Sequence, residues 1–253
     1  MYPCPSGTVP YTIKPGDTLW LIAERFNTNI QAIMSVNPGI NPYNLYVGQT
    51  ICIYPGAIHP QPTSNPSLTS ACITKSEQSL REALRMLWEQ HDVWTRAAIV
   101  SIVADSRDQK YVVDRLLRNP SDMAAALETY YGKETASRFE SLLREHLTIA
   151  AELVKASKSG NAKAAAAIEK RWYENADEIA DLLGSINPYW SSEDWRAMLH
   201  EHLKLVKAEA VARLTKDYPS DIATYDRIEK QSLDMADTLS EGIVKQFPDK
   251  FRR

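Results

Sequence analysis

The chain has 253 residues, 44% hydrophobic and 24% charged, enough for one sizeable core and a small module beside it. Its net charge of −3 supplies no basic footprint for nucleic acid. No apolar run approaches the roughly 18 residues that a membrane span needs. Neither nucleic acid nor membrane is therefore an expected partner.

The first residues, Met1-Tyr-Pro-Cys-Pro-Ser-Gly-Thr-Val-Pro10, carry neither the basic nor the apolar region of a secretory signal, so synthesis in the cytoplasm is expected. A strand follows over Tyr11–Ile13, and Pro15-Gly16 turns the chain. Asp17 or Thr18 then caps a helix whose apolar residues Leu19, Ile22, Ala23 and Phe26 recur at helical spacing. Thr28 and Gln31 have capping-box spacing for a second short helix with Ile30, Ile33 and Met34 on its inner face. A loop rich in Asn, Pro and Gly leads to a second strand near 49–54, giving a small α+β module of order β-α-α-β. Three cysteines are too few and too scattered for a disulfide framework or a zinc site. Cys4 before the first strand and Cys52 in the second can bridge and close the module, or stay as free thiols; Cys72 is left over either way.

From residue 56 to 75 the prolines Pro60, Pro62 and Pro66 stand among Ser, Thr, Asn and Gln, the composition of a semi-extended linker. Everything after it, 76–253, has a helical pattern, in six segments near 76–105, 108–130, 134–158, 161–185, 192–216 and 220–246. A shift of 56 residues lays Arg115-Leu-Leu-Arg-Asn119 on Arg171-Trp-Tyr-Glu-Asn175, and Leu143-Arg-Glu-His146 on Leu199-His-Glu-His202. Arg115, Arg171 and Arg227 coincide under it, as do Glu89, Glu145 and Glu201. The unit is a helical hairpin used about three times, compatible with an open solenoid or a compact bundle. The large residues Trp88, Trp94, Trp172, Trp190 and Trp195 favour an all-α bundle, since they suit a shared core.

The segment Tyr11-Thr-Ile-Lys-Pro-Gly-Asp-Thr-Leu-Trp-Leu-Ile-Ala-Glu-Arg-Phe26, followed by Asn37-Pro-Gly-Ile-Asn-Pro42 and Val47-Gly-Gln-Thr-Ile-Cys-Ile53, resembles a LysM module. Each element alone is weak, but they occur in order at the family's separations. The resemblance covers residues 1–55 and implies binding of N-acetylglucosamine polymers, peptidoglycan or chitin, in a shallow groove between two loops. By position the first loop is Gly16, Asp17, Thr18 and Leu19, and the second is Asn37, Pro38, Ile40 and Asn41. Tyr43 and Tyr46 offer stacking surface, although packing and solubility explain them slightly better. The helical part resembles uncharacterised all-helical proteins of spore-forming Gram-positive bacteria, a likeness that implies no activity.

Between Tyr11 and Tyr54 the only acids are Asp17 and Glu24, and there is no histidine. Glycoside hydrolysis generally needs two carboxyl groups across the scissile bond, so the module is expected to bind without cutting. In the helical part, His146 and His202 fall on apolar helix faces, Gln90 occupies the corresponding place in the first repeat, beside His91, and Asn119, Asn175 and Gln231 point inward from partner helices, flanked by Asp122, Glu178 and Asp234. A metal site at His146 and His202 with inward carboxylates is one reading; core histidines held by hydrogen bonds are the other. The Glu-x-x-His pairs of di-metal bundles are absent, because 143 and 199 are Leu. No cofactor is therefore assigned. The reading is a non-catalytic binder of wall or spore glycan that carries a helical structural or interaction domain, able to self-associate through that domain. The alternative is a helical metalloprotein or enzyme delivered by the module.

Overall fold

A computed structural model describes residues 4–14, 17–38, 40, 45–56 and 73–252, with only the backbone of Trp20. Gly16, Asn41, Tyr43, Cys72 and most of the expected linker lie outside the described residues. The chain divides into two compact units, Met1–Ala71 and Cys72–Arg253.

In the first unit, strand β1 (Val9–Thr12) pairs antiparallel with β2 (Thr50–Ile53), setting Tyr11 opposite Ile51. Helices α1 (Leu19–Arg25) and α2 (Ile30–Ser35) lie between them in the chain. Ile13, Leu19, Ile22, Ile33, Ile51 and Ile53 form a nearly water-free core. The Sγ atoms of Cys4 and Cys52 are bonded, tying the N-terminal segment to β2. Gly48 turns the chain into β2 at φ 89°, a conformation that strains any residue with a Cβ, and donates its N–H to the Ile13 carbonyl. Thr18 alone caps α1, accepting from the Leu21 N–H. The second cap is Asn29, not Thr28, because the Asn29 side chain accepts from the Ala32 N–H while Thr28 is buried one residue earlier.

The second unit contains α3 (Lys75–Val103), α4 (Gln109–Leu116), α5 (Asn119–Lys158), α6 (Ala162–Ile186), α7 (Ser192–Leu214) and α8 (Tyr218–Gln246), closed by a 3-10 turn over Pro248–Phe251. The single helix expected over 108–130 is two. Helix α4 stops at Leu116, and Pro120 stands in the first turn of α5, where its missing N–H removes no helical bond. Gly132 breaks α5 at φ 77°, ψ 168°, dividing it into 119–131 and 133–158. Three hairpins result: α3 with the first part of α5, the second part of α5 with α6, and α7 with α8. Each helix of this series packs on the next, and α8 packs back on α3, so the repeats close into a bundle rather than an open solenoid. Trp88, Trp172, Trp190 and Trp195 are buried in it, while Trp94 is only partly covered beneath the Arg115 guanidinium.

Candidate functional site

In the module, the loop between β1 and α1 is built around Asp17. One carboxylate oxygen accepts from the Tyr11 hydroxyl at 2.7 Å and from the Lys14 N–H at 2.8 Å, and the other faces Arg25 at 3.4 Å. Burial works to raise the Asp17 pKa, but these donors outweigh it and hold the carboxyl below its usual value. Asp17 therefore shapes the turn and leaves the capping to Thr18. Leu19 points into the core, so any part it has in a groove runs through its backbone. In the second loop, Asn37 is fully engaged. Its Nδ2 donates to the carbonyls of Ile33 and Cys52, each at 2.6 Å, and its Oδ1 accepts from the Cys52 N–H at 2.8 Å. The side chain latches α2 to β2. Pro38 is exposed, Ile40 is half-buried and bonds its N–H to the Asn37 carbonyl, and Tyr46 is exposed.

The helical unit holds a second constellation. His91, His146 and His202 are all buried, one on the first helix of each hairpin. The Nδ1 atoms meet Asn119 Oδ1 at 3.2 Å, Asn175 Oδ1 at 2.8 Å and Gln231 Oε1 at 3.0 Å. Each amide nitrogen in turn donates to a carbonyl one turn before the histidine: Leu87, Leu142 and Met198. The amide oxygen thus faces the ring, so Nδ1 carries the proton and Nε2 keeps its lone pair. Burial pushes His91 down to about 3, helped by His202 and His146 and opposed by the Asn119 bond. Burial likewise takes His146 and His202 to about 4, against their amide bonds. All three rings are neutral at neutral pH.

The first-repeat member of this layer is His91 and not Gln90. His and amide stand 28 residues apart in the first hairpin but 29 in the other two, so a uniform shift of 56 misplaces the first helix by one residue. Glu89 leaves the alignment for the same reason: Gln90 is the equivalent of Glu145 and Glu201, and it accepts from Arg115 as Glu201 faces Arg227. The three rings line a cavity of about 20 Å³ together with Trp88, Leu143 and Leu199, which are also repeat equivalents. Glu178 is exposed and Asp122 pairs with Arg118, so neither enters the layer.

The LysM domain family matches residues 11–53. The secreted LysM effector Blys4 of Beauveria bassiana is 46% identical over 50 residues, 20% of this chain and 29% of the effector. The putative L,D-transpeptidase YkuD of Bacillus licheniformis is 46% identical over 50 residues, 20% of this chain and 30% of that protein. The chain thus spans less than a third of either relative. No solved structure matches the chain. The matched segment begins in β1 and ends with β2, enclosing both short helices, the Asp17 turn and the Asn37 latch. Residues 11–53 are a LysM domain.

Proposed function

We propose that residues 11–53 bind N-acetylglucosamine-containing glycan, peptidoglycan or chitin, and thereby hold the helical unit at a wall or spore polymer. The observation that carries this reading is the LysM match over a segment whose described residues fold in the order β-α-α-β. The groove is assigned to the loops that carry Gly16 to Leu19 and Asn37 to Asn41. Turns rich in Gly and Pro present backbone N–H and C=O groups to an acetamido group without requiring charge. Asp17 and Asn37 serve the groove by fixing these loops rather than by reaching the sugar. The Cys4–Cys52 bridge suits a protein that works in an oxidising setting, as an exposed wall polymer is.

The test is sedimentation of the full chain with insoluble peptidoglycan and with insoluble chitin. Retention on at least one polymer is expected, and it should fall when Gly16→Val and Asn41→Ala are combined. Absence of retention on both, or retention unchanged by the double substitution, would overturn the reading. One shallow groove buries little ligand, so the affinity of a single chain is expected to be modest.

A further inference from the structure

The three histidines repeat, but their surroundings do not. Asp92, adjacent to His91, is buried at 2% exposure where the second and third repeats carry the buried leucines Leu147 and Leu203. Trp88 and Thr95, one turn to either side on α3, correspond to Leu143 and Leu199 and to Ala150 and Val206. The first repeat has thus put three polar groups on one helix face where its siblings are apolar. The atoms Trp88 Nε1, Asp92 Oδ2 and Thr95 Oγ1 are buried without a hydrogen-bond partner among the described residues. Asp92 Oδ1 accepts from Ser232 at 2.9 Å, and Ser232 itself stands where the second repeat has Ala176.

An Asp–Ser bond that merely fixed α3 against α8 would need one carboxylate oxygen. The second, left bare in an apolar core, costs free energy that the leucine of the other repeats avoids. One donor atom each of His91, Asp92 and His202 lies within 4.8 Å of the others. Tetrahedral donors at roughly 2.0–2.2 Å from one ion stand about 3.4 Å from one another, so ion binding would draw this set together by up to about 1.4 Å. His146 is not within that distance of all three, so the departure from threefold symmetry, and not the histidine layer as such, defines the site.

We propose that His91, His202 and Asp92 bind one divalent first-row transition-metal ion, with Zn2+ as the best fit. Two imidazoles and one carboxylate suit zinc, iron, cobalt or manganese and not the all-oxygen preference of calcium or magnesium. Asn119 and Gln231 hold the two rings by Nδ1, the outer-shell arrangement that fixes the tautomer and aims the free nitrogen at a metal. With an ion bound, both carboxylate oxygens of Asp92 are engaged, one by Ser232 and one by the ion. A three-ligand site keeps an open position for a water, and Trp88, whose ring meets both His91 and His202, still has an unengaged Nε1. Glu89 and Glu229 also act on Asp92 electrostatically, negative charge that a cation offsets.

The experiment uses the full chain stripped with a chelator and titrated with Co2+ and Zn2+. One ion per chain is expected, with visible cobalt absorption of mixed nitrogen and oxygen ligation and a rise in the unfolding temperature. Asp92→Leu with Ser232→Ala installs the residues of sibling repeats, Leu147 and Ala176; it should fold and bind at least about 100-fold more weakly. Substitution of the half-buried His200 should leave uptake unchanged. Failure of the wild type to take up any of zinc, cobalt, iron or manganese overturns the proposal, as does uptake that survives the double variant. Histidine-ring NMR of the wild type decides the matter even if that variant misfolds. Zn2+ must shift two rings hydrogen-bonded through Nδ1 and spare His200, and any other pattern overturns the site. None of these outcomes depends on glycan binding.

Discussion

Single residues bear much of the packing in this chain. Gly242, inside α8, lies against the buried Trp190 indole: a Cβ there would overlap Nε1 and stand 2.5 Å from Cδ1. That indole cannot retreat, because its N–H donates to the Thr238 carbonyl at 3.1 Å and its ring packs on Tyr131 and Trp195. Gly242→Ala, which would strengthen an isolated helix, should therefore destabilise the bundle by about 1–3 kcal/mol in urea unfolding. An unchanged midpoint would show that Trp190 has room to shift. The large core residues are legible as a type from the sequence; which glycine one of them crosses is not, since it depends on a neighbour about 50 residues away. Asn37 makes the same point. Its position after α2 marks a loop, but its three bonds exist only because β2 passes beside it.

At the scale of elements, local patterns specified what local physics controls. The strand, helix and turn order of the module follows from apolar spacing and turn residues. At α2 the sequence pattern points to Thr28, one residue before the cap Asn29, because both are competent acceptors and only burial selects between them. In the helical unit the repeat was visible, yet one residue fewer in the first hairpin hid His91 behind Gln90 and kept Asp92 out of view. That register is set by how α3 packs against its neighbours, which no periodicity within α3 reveals. The module's two cysteines left two possibilities open, and their bridge spans a sequence separation of 48. Closing a loop of that length removes unfolded-state entropy worth about 4 kcal/mol. Reduction should accordingly speed amide exchange in Val9–Thr12 and Thr50–Ile53 while leaving α3 to α8 at their original rates. Exchange in the two strands that ignores reductant would mean that the core alone holds the module.

The closed ring of the helical unit depends on a charged network at its seam. Arg96 of α3 contacts Glu209 of α7 at 2.5 Å and Asp221 of α8 at 2.8 Å, and Arg213 reaches Asp221 at 3.2 Å. Both carboxylates are almost fully buried, so the first and last hairpins are joined by ions withdrawn from water. Burial dominates at Glu209 and pushes it up to about 7 despite Arg96. An unfolded glutamate titrates near 4.5, so between about pH 4.5 and 7 the folded chain holds a proton that the unfolded chain has lost. Folding at this site is then favoured as pH falls through 7 and gains nothing further below 4.5. The slope is at most about 1.4 kcal/mol per pH unit for one proton. Glu209→Gln keeps a neutral acceptor for Arg96 and removes the titration. The difference in unfolding free energy, wild type minus variant, should therefore rise from pH 8 to pH 5 in parallel urea titrations. A difference that stays flat would mean that Arg96 holds Glu209 ionised throughout, and that an ion pair rather than a shared proton closes the ring.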